Sequence, residues 1–344
     1  MTPSCAGRVY FAIGNIDIIG IIIAMKIDIL ALDSVFDTGL AALLDVFTTA
    51  NELRAALSLK APALSVRVTG LRRRVRTAQG FAVPLAGSFA PRAADWVIVP
   101  AIGYKMPDQL VPALARNDVQ EAASALRERG AAGKNIAAAC IGTFVLAESG
   151  LLSGERATTT WWLAPLFRQR YPDVRLEDAS MLVKSGPCIT AGAALSHVDL
   201  GLRLVREASP ELANLVARYL ILDHRPSQSA YAIADHLAHA DPLVEKFERW
   251  ARGHLAEGFS LDAAAAAVGA SKRTLARRLE QILGRTPLSY FQDLRVERAV
   301  HLLKTGTEGL DAIAAQVGYA DGVTLRNLLR RRLGRGVREL RLGN

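Results

Sequence analysis

Twice in its last third, this 344-residue chain repeats one short grammar: an apolar run, a glycine, then a polar cap opening a run studded with arginines. In the first copy, Ser260 is placed to cap a helix over 261–268, with Leu261, Ala264, Ala265 and Val268 on one face. Gly269 ends it. After the turn Gly269-Ala270, Ser271 caps a second helix whose Leu275, Leu279, Ile282 and Leu283 face inward, leaving Lys272, Arg273, Thr274, Arg277 and Arg278 elsewhere on its surface. The second copy runs from Leu310 to Val317, through Gly318 and Tyr319-Ala320, to a cap at Asp321 and a helix ended by Gly334. Its apolar stripe is Leu325, Leu329 and Leu333, and its outward positions include Thr324, Arg326, Asn327, Arg330 and Arg331. Each copy is a helix-turn-helix whose second helix is basic.

Between the copies, Thr286-Pro287 opens a connector helix, LSYFQDLRVERAVHLL, closed by Lys304-Thr305-Gly306, with proline at the first helical position and glycine just past the end. About 18 residues at ~1.5 Å rise span roughly 27 Å. With helix width and tilt added, that suits two helices entering successive major-groove faces about 34 Å apart on one side of B-DNA. Charge agrees with this: the chain is net +9, and residues 241–344 carry +6 of it. One basic helix is ordinarily a solvated face, but two capped units at this spacing point to a polyanion.

The first 240 residues follow another rule. From Met25, short β-rich runs (26–32, 64–71, 95–101, 135–139) alternate with helical stretches (39–57, 118–129, 143–152), the pattern of a parallel sheet with helices on both faces. The run GPCITAGAALSHVDLGLRLVREA closes this half near residue 208, and HRPSQSAYAIADHLAHADP (224–242) reads as a linker. The expected fold is therefore α/β, a flavodoxin-like doubly wound sheet over 25–220, then a linker over 221–242 and an all-α domain with two helix-turn-helix units over 243–344.

Composition excludes disorder and fibrous repeats, with 51% hydrophobic and 22% charged residues. Cys5, Cys140 and Cys188 make no disulfide framework and no CxxC zinc pair, so a reducing, cytoplasmic setting is expected. Tyr10 to Ala24 is apolar but too short to span a membrane, holds Asp17, and lacks both a basic n-region and a small-residue cleavage site. Residues 1–24 read either as an extension from a misplaced start codon or as an extra ordered segment. No membrane partner is expected.

One residue of the α/β half stands where chemistry usually happens. In NIAAAC-IGTFVLAESGLL, Cys140 ends a buried strand and Ile141-Gly142 lead into a helix. Helix N-terminal amides at such an elbow lower a thiol pKa and can stabilise an oxyanion. A hydrolase would also need a base within hydrogen-bond reach.

The residues also carry two resemblances. The last 75 or so, with a G-x-[ST]-x-R-x-L-x-R motif, the GRTPLSYFQDLRVERAVHLL connector and the IAAQVGYAD turn, resemble the DNA-binding domain of the AraC/XylS family. The resemblance implies that the N-terminal halves of both recognition helices read bases: Arg273, Thr274 and Arg277 in the first, and Thr324, Arg326 and Asn327 in the second. The family usually has aromatics where this chain has Leu325, Leu329 and Leu333. The α/β half resembles the class I glutamine amidotransferase-like (ThiJ/PfpI) superfamily, above all its GlxA-type regulators. The match lies in MKIDILALDSVFDTGLAALLDVFTTANEL, DWVIVPAIG, AAACIGTFVLAESGLLSGERATTTWW and YPDVRLEDASMLVKSGPCITAGAALSHVDLGLRLV. Enzymes of that superfamily pair the elbow cysteine with a histidine, and many relatives read ATTHW. This chain reads Ala157-Thr158-Thr159-Thr160-Trp161, with Thr160 in the histidine position.

A threonine is no general base near neutral pH. His197 is the nearest substitute in sequence, but a lone helical histidine is more often packed. The α/β domain is therefore expected to be a sensor, with Asp37 or Asp45, Gly103, Cys140, Ile141, Gly142, Thr160 and Trp161 bounding a ligand pocket at the carboxyl ends of the strands. The alternative is a cysteine-dependent hydrolase or glyoxalase-like enzyme with a helical appendage. As a regulator, the chain is expected to have an operator duplex, a small effector, a second copy of itself and RNA polymerase as partners, and no cofactor; the resemblance to GlxA-type regulators implies an amine or amino-acid-like metabolite as that effector. RRRVR (72–76) reads as a solvated loop, and His236-x-x-His239 has metal-ligand spacing without further ligands, so no metal is expected.

Overall fold

The computed structural model describes residues 24–223, 225, 227, 228 and 241–342. The readings of residues 1–23, of His236 and His239, and of most of the 221–242 linker fall outside these described residues.

Among the described residues, seven strands build one sheet: β1 (Met25–Leu30), β2 (Leu64–Gly70), β3 (Gly87–Ser88), β4 (Trp96–Val99), β5 (Asn135–Ala139), β8 (Leu182–Ser185) and β9 (Cys188–Ala191). Their order is β3-β2-β1-β4-β5-β9-β8, while β6 (Arg156–Ala157) and β7 (Arg175–Leu176) pair by themselves. All pairings in the large sheet are parallel except β8 with β9. Continuous apolar runs explain the parallel core, because side chains on both faces of β1, β4 and β5 are covered. One face carries α1 (Asp37–Ala56), α6 (Ser196–Ala208) and α7 (Pro210–Tyr219), through Leu43, Phe47, Leu204 and Val216. The other carries α2 (Pro107–Leu114), α3 (Asn117–Ala131), α4 (Gly142–Glu148) and α5 (Ala164–Arg170), through Leu110, Leu126, Phe144 and Phe167.

Two features depart from the sequence reading. The closing run after residue 185 divides into β9 and α6, with β8 added as an antiparallel edge. The Pro-punctuated 107–114 segment is a helix, since Pro107 occupies its first turn and Leu110 and Leu114 reach the core. RRRVR is a surface turn in which Val75 is buried and Arg72 pairs with Glu121 at 2.5 Å.

The helical half holds α8 (Pro242–Gly253), α9 (Leu261–Ala267), α10 (Lys272–Leu283), α11 (Pro287–Thr305), α12 (Leu310–Gln316), α13 (Gly322–Leu333) and α14 (Val337–Leu342). It has two cores. Val244 and Phe247 of α8, Ala264 of α9, Leu275 and Leu279 of α10, and Tyr290, Phe291 and Leu294 of α11 make the first. Val296, Ala299 and Leu303, farther along α11, make the second with Ile313 of α12, Leu325 and Leu329 of α13, and Leu340 of α14. The connector is thus a shared wall, one end in each unit.

Candidate functional site

The elbow is built by the backbone. Cys140 adopts φ +56°, a left-handed conformation rare for a non-glycine residue, at the end of β5. Its N–H donates to the Ala191 carbonyl at 2.9 Å, and its carbonyl accepts the Thr159 hydroxyl at 2.7 Å. Gly142 follows because nothing larger fits: a Cβ there would stand 2.2 Å from the Val99 carbonyl oxygen and 2.7 Å from that of Pro100. Strain and sequence agree that this is a prepared position.

Burial outweighs the helix amides in setting the charge of the thiol. Burial pushes the Cys140 pKa up to about 12, and the Ile141 amide and Thr160 offset only part of that. At neutral pH the group is a thiol. Thr160 is fully buried next to it, but its hydroxyl makes no well-formed hydrogen bond among the described residues. His197 is not a relocated base. Its Nε2 accepts the Ala101 N–H at 3.1 Å, its Nδ1–H donates to the Ala194 carbonyl at 2.6 Å, and Gly39 of α1 lies flat on the ring, where a Cβ would come within 2.6 Å. Burial lowers its pKa to about 4, so it is a neutral packing residue.

The other pocket candidates divide. Ile141, Gly142 and Thr160 are buried around the elbow, and Trp161 is half-buried with its ring edge-on to Trp162. Asp37 starts α1; its Oδ2 accepts the Gln79 N–H at 3.2 Å, and its Oδ1 is buried without a partner among the described residues. Gly103 donates its N–H to the Ser34 carbonyl at 2.7 Å and leaves no room for a Cβ against Ala78. Asp45 is a correction: it lies on the solvent face of α1, because Leu43, Val46 and Phe47 take the inward positions. The elbow end of the expected ligand pocket is closed, with Cys140, Thr143 and Thr160 at most 3% exposed. Thr143 Oγ1 and Ser196 Oγ are also buried without partners among the described residues.

In the helical half, the caps form as their sequence implies. Ser271 Oγ accepts the Thr274 N–H at 3.1 Å, and Asp321 Oδ1 accepts the Thr324 N–H at 2.7 Å. Arg273, Arg277, Thr324, Arg326, Asn327, Arg330 and Arg331 are exposed or nearly so, with Leu275, Leu279, Leu325 and Leu329 buried on the opposite faces. Among the described residues, none of the five arginines pairs with a carboxylate. Two basic candidates are otherwise engaged: Arg278 pairs at 2.9 Å with Asp241, the cap of α8, and Lys272 pairs with exposed Asp262 at 2.8 Å. Val323, 61% exposed beside Thr324, was not singled out in the sequence, since a valine there reads equally well as core. Asp178, Arg168 and Gln228 were also missed. Arg168 and Asp178 pair across ten residues, and the Asp178–Arg285 and Gln228–Thr159 contacts span far more, so no local motif announces them.

Residues 25–207 match the DJ-1/PfpI family, and residues 264–342 match a helix-turn-helix domain. The chain is 27% identical over 202 residues to the HTH-type transcriptional regulator ArgR of Pseudomonas aeruginosa, covering 58% of this chain and 61% of that one. It is 24% identical over 253 residues to the HTH-type transcriptional regulator GbdR of the same species, covering 72% and 66%. Both alignments therefore take in less than two thirds of the relative's length. The HTH-type transcriptional activator RhaS of Escherichia fergusonii is 39% identical over 103 residues, 30% of this chain and 37% of that one. Among solved structures, an AraC family transcriptional regulator from Pseudomonas putida is similar at TM-score 0.48 and 21% identity, covering 57% of this chain and 99% of that one.

Proposed function

The chain belongs to the DJ-1/PfpI family, and because a helix-turn-helix domain follows that fold we propose that it is a sequence-specific DNA-binding transcription regulator whose α/β domain binds a small metabolite. The observation that carries this reading is the pair of capped units on one shared helix, each with a basic recognition helix whose arginines face outward. Arg273, Thr274 and Arg277, and Thr324, Arg326 and Asn327, lie at the reading ends. Arginine forks there suit guanine O6 and N7, while Arg330 and Arg331, farther along, suit phosphates.

The α/β domain acts without turnover. A thiol held protonated, a threonine in the histidine position and a histidine with both nitrogens engaged leave Cys140 with no base. An amine or amino-acid-like effector, admitted by local opening, is what the resemblance to GlxA-type regulators implies, and the buried, unpartnered Asp37 oxygen offers such a group an acceptor. A second copy of the chain, an operator duplex and RNA polymerase complete the expected assembly, in the cytoplasm; among the described residues no helix is long and apolar enough to cross a membrane.

Selection of duplexes from a randomised pool by the full chain tests the reading. Recovery of one recurrent motif supports it; an unenriched pool contradicts it. A thermal-shift screen of amines and amino acids on the same chain then tests the effector, whose binding raises the melting temperature.

A further inference from the structure

Three consecutive residues after β7 contact both the surroundings of the elbow and the turn after the first recognition helix. Ser180 comes first: its carbonyl accepts the Thr158 hydroxyl at 2.8 Å, and the neighbouring Thr159 hydroxyl holds the Cys140 carbonyl. Ala179 is next. Its carbonyl accepts the Gln228 N–H at 2.9 Å and the Ser227 hydroxyl at 2.8 Å, fixing these two residues beside it. Gln228 is fully buried, donates Nε2–H to the Thr159 carbonyl at 2.8 Å, and occupies the space that Gly192 leaves open. Its Oε1 has no partner among the described residues.

Asp178 reaches the other domain. Its Oδ1 lies 3.0 Å from Arg168 Nη2 on α5 and 3.7 Å from Arg285 Nη2, in the turn after the first recognition helix. The Arg168 guanidinium sits against Gly284, the left-handed cap of that helix, where a Cβ would come within 2.6 Å. Arg285 also faces Asp293 on α11 at 3.5 Å, and Asp293 pairs at 2.9 Å with Arg332 of the second recognition helix. Carboxylate and guanidinium alternate from the α/β domain to both DNA-reading units. Asp178 and Arg168 are mostly buried, so this geometry is held more firmly than a surface pair.

Resting on the DNA-binding reading above, we propose that Asp178–Ser180 is the coupling segment of the protein: it ties the packing around Cys140 to the positions of both recognition helices through the Gln228 strap and the Asp178–Arg285–Asp293–Arg332 ladder. Coupling of this kind is reciprocal, so a duplex held by the recognition helices must alter the opening of the elbow.

Cys140 reports that opening, because a buried thiol is alkylated only when its surroundings loosen. In a Cys5→Ser, Cys188→Ala background, Cys140 is the only thiol. Its alkylation by iodoacetamide is timed in the full chain with and without a mixed-sequence duplex of about three helical turns, and fluorescence anisotropy in the same samples records binding. The duplex is expected to change the rate by about fivefold or more, and by less than about twofold in Asp178→Asn and in Arg285→Gln while both still bind. The second variant acts from the helical side, so misfolding of the α/β domain in the first does not decide the result. A response as large in both variants as in the parent, or none in the parent with duplex bound, overturns the coupling and leaves the DNA reading intact. If the parent binds no duplex, the DNA reading itself falls, and this inference falls with it.

Discussion

His197 Nε2 accepts the Ala101 N–H at 3.1 Å, so a ring that sequence alone offers as a catalytic base instead holds the end of β4 against α6. The bond requires the neutral ring, and burial lowers the folded-state pKa from 6.5 to about 4. The unfolded chain therefore binds a proton that the folded one refuses.

Stability from this residue is complete above about pH 6.5 and is lost as pH falls toward 4, by up to about 3 kcal/mol. Urea melts of the wild type and His197→Gln at several pH values between these limits measure it. The variant should be less stable at pH 7 and show a shallower loss on acidification. Parallel pH profiles would contradict the assignment.

Gly142→Ala forces a Cβ into the Val99 and Pro100 carbonyls, backbone atoms that cannot step aside. A loss of about 3 kcal/mol is expected, at the upper end for overpacking. Thermal unfolding of the full chain reads it, and a melting temperature unchanged from wild type would show that the elbow is looser than described.

Cys140→Ala should leave hydrolase, deglycase and glyoxalase assays at background, because the parent itself is expected to sit there. Turnover in the parent that disappears in the variant would restore the enzyme reading.

Adjacent arginines on α10 should behave differently. Arg278 serves the α8 cap, so Arg278→Ala leaves Asp241, 5% exposed, without its cation and lowers the stability of the first helical core by about 1 to 3 kcal/mol. Arg277 faces outward, and Arg277→Ala should cost about 1 to 3 kcal/mol on a selected duplex while binding a scrambled one nearly as before. Equal weakening on both duplexes would mean that Arg277 contacts phosphate.

Regular elements were legible where their signal is local. Buried apolar runs mark β1, β4 and β5, and the Ser260, Ser271, Thr286 and Asp321 caps mark the starts of four helices within a residue. The α2 helix was hidden by its prolines, and the β8–β9 hairpin by its merging into a longer apolar run. The elbow was legible in shape but not in charge: helix amides can be inferred from Ile141-Gly142, whereas the burial that makes Cys140 inert depends on Thr158–Thr160 and the α/β core folding over it. Asp45 faces solvent because Leu43, Val46 and Phe47 beside it take the inward positions of α1. The Asp178 and Gln228 contacts join residues separated by dozens of positions, which no local pattern encodes.

The central claim is that the two exposed arginine faces bind duplex DNA and discriminate between sequences. Anisotropy of the full chain on a selected duplex and on its scrambled counterpart, from about 50 to 200 mM salt, tests it most directly. The account predicts that log affinity falls linearly with log salt on both duplexes, because Lys and Arg displace condensed counterions, with the selected duplex bound at least about a thousandfold tighter throughout. Binding that ignores salt, equal affinity for the two duplexes, or no binding at about 50 mM salt would contradict it.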